Sequence, residues 1–408
     1  MVGFFTEKQV VGGGGKLYTC MTCGKHKCVI TPQFKPWGKG RKGILLLAEV
    51  PVYADDTAGE PWKSKGGQDL VILLDSLGID IYEDCVTVYA VHCRTIDDYT
   101  GNDRDVNLLD VDMCRKVTWK YLQEIQPKII ISLGIHSIEC VIGHRWKKNI
   151  GDIDKWRGWV IPDQDLKAWV APVYHQDYAS AVKTEKPVIW RVFENDIKNA
   201  LMYIHKPWER CKKFDIEIID DLRPLRDIQE GAVAIDYETT GLKPHAPGHR
   251  VVCASVADTP NHCYAFMMPA KKRERQPFID ILANPGVEKM AHNMKFEEAW
   301  SVTRLRQPVE NWAWDSMVAA HILDNRPSIT GLKFQTYVNF GVVDYDSEIN
   351  PYLKSISKGG NEINRIFELV ERFGGKEQLL RYCGMDTIYQ YRLALKQMDI
   401  MDYDGLPF

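Results

Sequence analysis

"EGAVAIDYETTGLKPH", residues 230–245, carries an apolar run, Ala232 to Ile235, that ends in two acids, Asp236 and Glu238, with only Tyr237 between them. Side chains alternate across a strand, so a strand here puts both acids on one face. Like charges at that spacing repel. A cation should sit between them, or one should hold a proton. The stretch therefore predicts a sheet strand and asks the rest of the chain for a positive partner.

Further acids lie downstream. In "AHNMKFEEAW", Glu297 follows Phe296 on a predicted helix. In "YCGMDT", Tyr382 and Asp386 stand at i and i+4, on one helix face. Carboxylates from these three stations, brought into one cleft, would bind Mg²⁺ or Mn²⁺, which take hard oxygen ligands. Two such ions, about 3.5–4 Å apart, clamp the attacking and leaving oxygens of a phosphodiester. After the opening strand, "RVVCASVAD" and "HCYAFMMP" read as the next two strands of a meander. Helices are then predicted in "PFIDILANP", "NMKFEEAWSVTRL", "AWDSMVAAHILDN" and "GGKEQLLRYCGMDTIYQYRLALKQMDIM". Strands first and helices later describe an α/β domain on a mixed sheet.

These motifs resemble the 3′–5′ exonuclease domain of family A DNA polymerases, in the DEDD superfamily. The matching segments are Asp236-Tyr-Glu238, Asn293-Met-Lys-Phe-Glu297 and Tyr382-Cys-Gly-Met-Asp386, with Asp315 in a further acidic place. The resemblance covers roughly residues 215–400 and implies an RNase H-like fold. It implies that Asp236, Glu238 and Asp386 hold one metal ion, that Asp236 bridges to a second, and that Tyr382 orients the attacking water, which marks the tyrosine subclass. Thr239 and Gly241 would approach the terminal nucleotide, with Asn293 beside them. The second motif departs from the family by ending in Glu297 rather than Asp; Glu298 is the alternative acid.

The first half alternates strand-like and helix-like segments: "KGILLLAEV", "GGQDLVILLDSLGI", "CVTVYAVHC", "DVDMCRKVTWKYLQEIQP", "KIIISLG", "IHSIECVIG", "KAWVAPVYH" and "KPVIWRVFENDIKNALMYI". That alternation predicts a doubly wound parallel sheet. The polar stretch "HKPWERCKKFD" breaks the pattern. The expected organisation is a flexible lead-in over 1–16, a first domain over 17–207 and a second over 208–408.

Six of the eleven cysteines precede residue 115, which suggests a metal in this half. "CMTCGKHKC" offers a C-x₂-C pair, a common start for zinc or iron–sulfur sites. Cys20, Cys23, Cys93 and Cys114 resemble the cluster ligands of family 4 uracil-DNA glycosylases, which implies a [4Fe–4S] cluster; Zn²⁺ is the alternative, and Cys28 an alternative ligand. The resemblance extends over about 17–204 through "LLLAEVPVYADDTAGEPW", "VYAVHCR", "KIIISLG" and "PVYHQDY". The departures fall on the chemistry. Val52 replaces a glycine that admits the flipped base, and Tyr89 replaces the asparagine that reads it. Trp62 replaces a stacking phenylalanine, and Gln176 follows the retained His175.

The net charge is −3 with 45% hydrophobic and 26% charged residues, ordinary for a globular chain. No run reaches the ~18 apolar residues of a membrane span, and the N-terminus lacks a signal-peptide core, so a cytoplasmic location is expected. Basic residues gather in "KPWGKGRKG", beside Trp37, and in "KKRERQP" and "HRWKK". Each is either a strand-tracking loop or a solvated one. The expectation is a 3′–5′ DNA exonuclease acting on single-stranded or mismatched 3′ ends. Its front end is a degenerate glycosylase fold for binding DNA or a family A polymerase, as in some bacteriophage polymerases. The rivals are an active uracil-DNA glycosylase fused to an exonuclease, and a non-catalytic polymerase-docking scaffold.

Overall fold

The computed structural model describes residues 20–97, 100–146, 149–354, 362–372 and 374–403. The glycine-rich lead-in, and Lys147 and Lys148 of "HRWKK", lie outside the described residues. The chain divides into two compact units. The first takes the described residues up to 144 together with 156–160 and 168–207; the second takes 145–155, 161–167 and 208 onward.

In the first unit, strands β1 (Ile44–Ala48), β2 (Cys85–Tyr89), β3 (Ile129–Leu133) and β4 (Ala168–Val173) pair in parallel in the order β2-β1-β3-β4. Every residue of β1, β3 and β4 is buried. That is why these strands read as continuous apolar runs rather than alternating ones. The main helices are α1 (Lys65–Ser76), α2 (Leu108–Ile125) and α3 (Pro187–Leu201). Ser64 caps α1 by accepting from Gly67 N at 2.9 Å. Asn107 and Asp110 form a reciprocal capping box on α2, and a proline starts α3. A parallel sheet of this kind gathers its functional loops at the carboxyl ends of the strands.

The second unit carries a six-stranded sheet of β5 (Asp215–Ile218), β6 (Gly231–Thr239), β7 (Val251–Thr259), β8 (His262–Met267), β9 (Val287–Ala291) and β10 (Trp312–Asp315), in the order β10-β9-β6-β7-β8-β5. The predicted meander is the antiparallel β6-β7-β8 core. Three parallel strands flank it, and the sequence does not predict them as strands. In β9, "VEKMA", Lys289 is fully buried and donates to Asn284 O at 2.5 Å, so a charged residue masks a core strand. Three of the four residues of β10, Ala313 to Asp315, fall in a stretch predicted as helix. Its last residue, Asp315, instead caps a helix that begins one residue later, α5 (Ser316–Leu323), by accepting from Met317 N and Val318 N.

The period-2 pattern of β6 builds two cores. Val233, Ile235 and Tyr237 pack with Phe266, Phe278 and Trp300 on one side. Ala232 and Ala234 face α7 (Lys376–Ile400), where Ile388, Tyr391 and Ala394 close over them. Small residues there let the helix approach the sheet, and the same face continues into Asp236 and Glu238. Among the described residues no helix is long and apolar enough to cross a membrane. All eleven cysteines are free thiols.

Candidate active site

The strand β6 delivers Asp236 and Glu238 to its α7 face, opposite Ser255 and Cys253 of β7. Tyr237 goes the other way and bonds Ser301 Oγ at 2.8 Å. On α7, Tyr382 and Asp386 lie one turn apart and both are buried. Gln390, one turn further on, donates to Ile235 O at 2.6 Å and fixes the helix to the strand just before Asp236. Glu297 comes from α4 (Met294–Trp300) and is 3% exposed.

Asp315 explains why Glu297 points inward. Its carboxylate accepts from Asn293 N at 2.9 Å and Met294 N at 3.0 Å. Asn293 takes the left-handed conformation, φ 80°, and starts α4 there. Glu298 is engaged elsewhere, accepting from Val309 N at 3.1 Å and Trp312 Nε1 at 3.0 Å. Glu297 is therefore the acid of this motif that acts electrostatically on Asp236, and its Oε2 has no hydrogen-bond partner among the described residues.

These acids hold too little positive charge. Burial, then the charge of Asp386, pushes the Asp236 carboxyl up to about 7. Burial and the charge of Asp236 hold Glu238 and Glu297 well above the usual carboxylate range. Among the described residues the ammonium that the site brings close is Lys333, from α6 (Leu332–Phe340). It donates to Asp386 Oδ1, which also accepts from Tyr345 OH at 2.7 Å. Lys333 Nζ lies over the rings of Tyr345 and Tyr382, at 4.1 and 4.3 Å from their centroids. Burial and the charge of Asp386 raise the Tyr382 phenol well above its ordinary value, so it is a neutral donor. Lys333 and Tyr345 are absent from the sequence reading and carry no motif that announces them. Cys383 is also missed, although it sits inside the Tyr382–Asp386 motif.

Thr239 and Gly241 stand at the end of β6. Thr239 Oγ1 donates to Gly241 O at 2.7 Å, and Asn364 Nδ2 donates to Thr239 O at 2.9 Å. A Cβ on Gly241 would lie 2.5 Å from His249 Cε1, so close packing excludes any larger residue. The Asn293 side-chain oxygen is buried without a partner among the described residues.

At the strand ends of the first unit the acids are satisfied. Asp55 accepts from Tyr89 OH at 2.9 Å, Lys63 N at 2.7 Å and Val52 N at 3.4 Å. Asp56 accepts from Thr31 N at 2.6 Å and Ile30 N at 3.2 Å. Glu49 accepts from His136 N and pairs with His136 Nδ1, both at 3.0 Å. Val52 is extended, φ −87°, as its branching requires. Trp62 does not present a stacking face: it is 3% exposed and donates to Thr87 Oγ1 at 2.9 Å. In this structure its ring is a buried anchor. His175 accepts from Asp177 N at 3.2 Å and acts electrostatically on Glu49.

The cysteines converge more loosely. The turn Cys20–Cys23 packs against α2, which carries Cys114. Lys25 pairs with Asp110 of α2 at 2.6 Å. Burial pushes Cys114 up to about 12 and Cys93 upward, and Cys20 and Cys23 add to both shifts. Cys28 is exposed. Among the described residues no three of these sulfurs lie within 4.8 Å of one another.

Residues 217–401 match the family model described as 3′–5′ exonuclease. The N-terminal half is similar to type-4 uracil-DNA glycosylases. Identity is 24% over 192 residues with that of Archaeoglobus fulgidus, covering 45% of this chain and 87% of the relative. It is 28% over 168 residues with that of Saccharolobus solfataricus, covering 40% and 72%. Among solved structures, Brucella melitensis NrnC with bound Mg²⁺ aligns at TM-score 0.34 and 18% identity, covering 47% of this chain and 84% of that one. Escherichia coli RNase D aligns at TM-score 0.33 and 15% identity, covering 48% and 46%. The second unit thus matches the 3′–5′ exonuclease family model over residues 217–401, and the first has the glycosylase-like fold that its motifs predict.

Proposed function

We propose that this protein is a 3′–5′ DNA exonuclease that removes nucleotides from single-stranded or mismatched 3′ ends. One observation carries the reading: buried carboxylates from three separate elements act on one another electrostatically, and among the described residues the ammonium bonded to them is Lys333, on Asp386. Such a group fits hard divalent cations, which supply the missing positive charge. Asp236, Glu238, Glu297 and Asp386 would hold two ions of the Mg²⁺ or Mn²⁺ class. When bound, those ions polarise the scissile phosphate and lower the pKa of the attacking water.

The chain's own residues do the rest. Tyr382, kept neutral, donates a hydrogen bond that orients the attacking water. Lys333 covers the charge of Asp386. Thr239, Gly241 and Asn293 receive the terminal nucleotide through backbone and amide groups. The test is degradation of a 3′-labelled single strand and a mismatched duplex in Mg²⁺ and in Mn²⁺. Asp236→Ala must abolish it; unchanged degradation overturns the reading.

The first unit is proposed as a cluster-bearing glycosylase fold that binds DNA or docks a family A polymerase and excises no base. Tyr89 bonded to Asp55, with Trp62 buried, supports a filled pocket where base reading needs an open one. Cys20, Cys23, Cys93 and Cys114 fit a [4Fe–4S] cluster. A tetrahedral zinc would draw sulfurs to within about 4 Å of one another. Release of free uracil from a uracil-containing oligonucleotide would sink the no-excision reading. A brown protein absorbing near ~400 nm supports the cluster, and a colourless zinc protein made without air removes it.

A further inference from the structure

Cys383 follows Tyr382 on α7 and turns toward the same carboxylates. Its Sγ lies 3.6 Å from Asp236 Oδ2 and 3.1 Å from Ser255 Oγ. Asp236, Glu238 and Cys383 each place one ligand atom within 4.8 Å of the others. Glu297 interacts electrostatically with Asp236, and its buried Oε2 has no partner among the described residues. Cys253 stands directly across from Glu238 on the neighbouring strand. A thiol adds nothing for magnesium, which takes oxygen ligands in strict octahedral geometry. Sulfur is a donor for zinc-class ions, which also lie above magnesium in general affinity for mixed sites.

We propose that Cys383 makes this centre a mixed thiolate–carboxylate site for a zinc-class divalent cation, with Asp236 and Glu238 as the oxygen ligands. On binding, the Cys383 proton leaves to solvent and a metal–sulfur bond takes its place, with no change in oxidation state. The occupant competes with Mg²⁺-class ions for Asp236 and Glu238. Thiophilic metal therefore inhibits the nuclease, a consequence that rests on the exonuclease reading. The site itself rests on the positions of the three ligand atoms.

Cobalt(II) is the probe, because a thiolate ligand gives it a near-ultraviolet charge-transfer band. The N-terminal cysteines contribute a band of their own, so the quantity measured on the full chain is wild type minus Cys383→Ser. The expected result is a difference band equivalent to one thiolate–cobalt bond, abolished by competing Zn²⁺. Asp236→Asn should weaken cobalt binding behind that band at least about tenfold. Equal spectra from wild type and Cys383→Ser, with both proteins melting alike, overturn the proposal. So does a difference band that Asp236→Asn leaves unchanged in affinity. Should Cys383→Ser fail to fold, Cys383→Ala and the Asp236→Asn titration decide the same question. Nuclease activity in Mg²⁺ is read separately, so its absence would sink the exonuclease reading without touching the cobalt result.

Discussion

Both units set acids at the ends of their sheet strands, and they treat those acids in opposite ways. Asp55, Asp56 and Glu49 of the first unit each collect two or more donors from their own chain. Among the described residues, the Asp236 carboxylate of the second unit has only a thiol, at 3.6 Å, and one oxygen of Glu297 has no partner. A buried carboxylate without donors is costly. The first arrangement is finished by folding; the second leaves room for the cations proposed above. On the proposed reading, the difference separates a fold kept as a surface from a fold kept as a catalyst.

The sharpest way to break that contrast is to remove the acid proposed to be shared by both metal positions. Asp236→Ala should lower the rate of 3′-end degradation in Mg²⁺ on the order of 10³-fold, the scale of lost metal catalysis. Retained activity would make the second unit as passive as the first. Tyr382→Phe keeps the ring against Lys333 and removes only the hydroxyl. It should lower kcat about 10- to 100-fold with little change in KM, since orienting the water matters at the chemical step. A rise in KM alone would assign Tyr382 to substrate binding instead.

The same contrast predicts a stability effect in the first unit. Asp55→Ala strands Tyr89 OH and the amides of Lys63 and Val52, so it should destabilise that unit by about 1–3 kcal/mol. Denaturant unfolding followed by the buried Trp62 measures it. No loss would mean that the pocket residues are not locked together. Asp236→Asn in the metal-free second unit should cost nothing or stabilise, because it relieves the repulsion between Asp236 and the carboxylates of Asp386 and Glu238.

Much of this was legible in the sequence, and what was not has physical reasons. The alternation of Val233, Ile235 and Tyr237 announced β6, and the acids of its other face followed from period 2. The spacing of Tyr382 and Asp386 announced one helix face. β9 was hidden because Lys289 is buried against a backbone carbonyl, which no apolar pattern encodes. Lys333 and Tyr345 reach Asp386 from 53 and 41 residues away, so only the fold brings them there. At Tyr89 the sequence told of a lost amide. That the new phenol ties down Asp55 is a tertiary fact, and so is the withdrawal of Trp62 from the surface.

The smallest effect tests the charge balance itself. Asp236 titrates near 7 in the folded metal-free protein and near 3.9 in an unfolded chain. Between those values the folded state holds a proton that the unfolded state has released, so stability is full below the lower value and is lost as pH rises through about 7. Asp110 in the first unit is the opposite case. Although burial opposes it, Arg104 and Lys25 hold its carboxyl down to about 2, so its contribution is present at higher pH and fails only in strong acid. Hydrogen exchange in EDTA should therefore show α7 opening more readily at pH 8 than at pH 5, while α2 stays level. Saturating Mg²⁺ should reverse the trend in α7, because the ions bind the deprotonated acids and their hold strengthens as pH rises. If α7 exchanges identically with and without Mg²⁺ at pH 8, the carboxylates of the second unit are not waiting for cations.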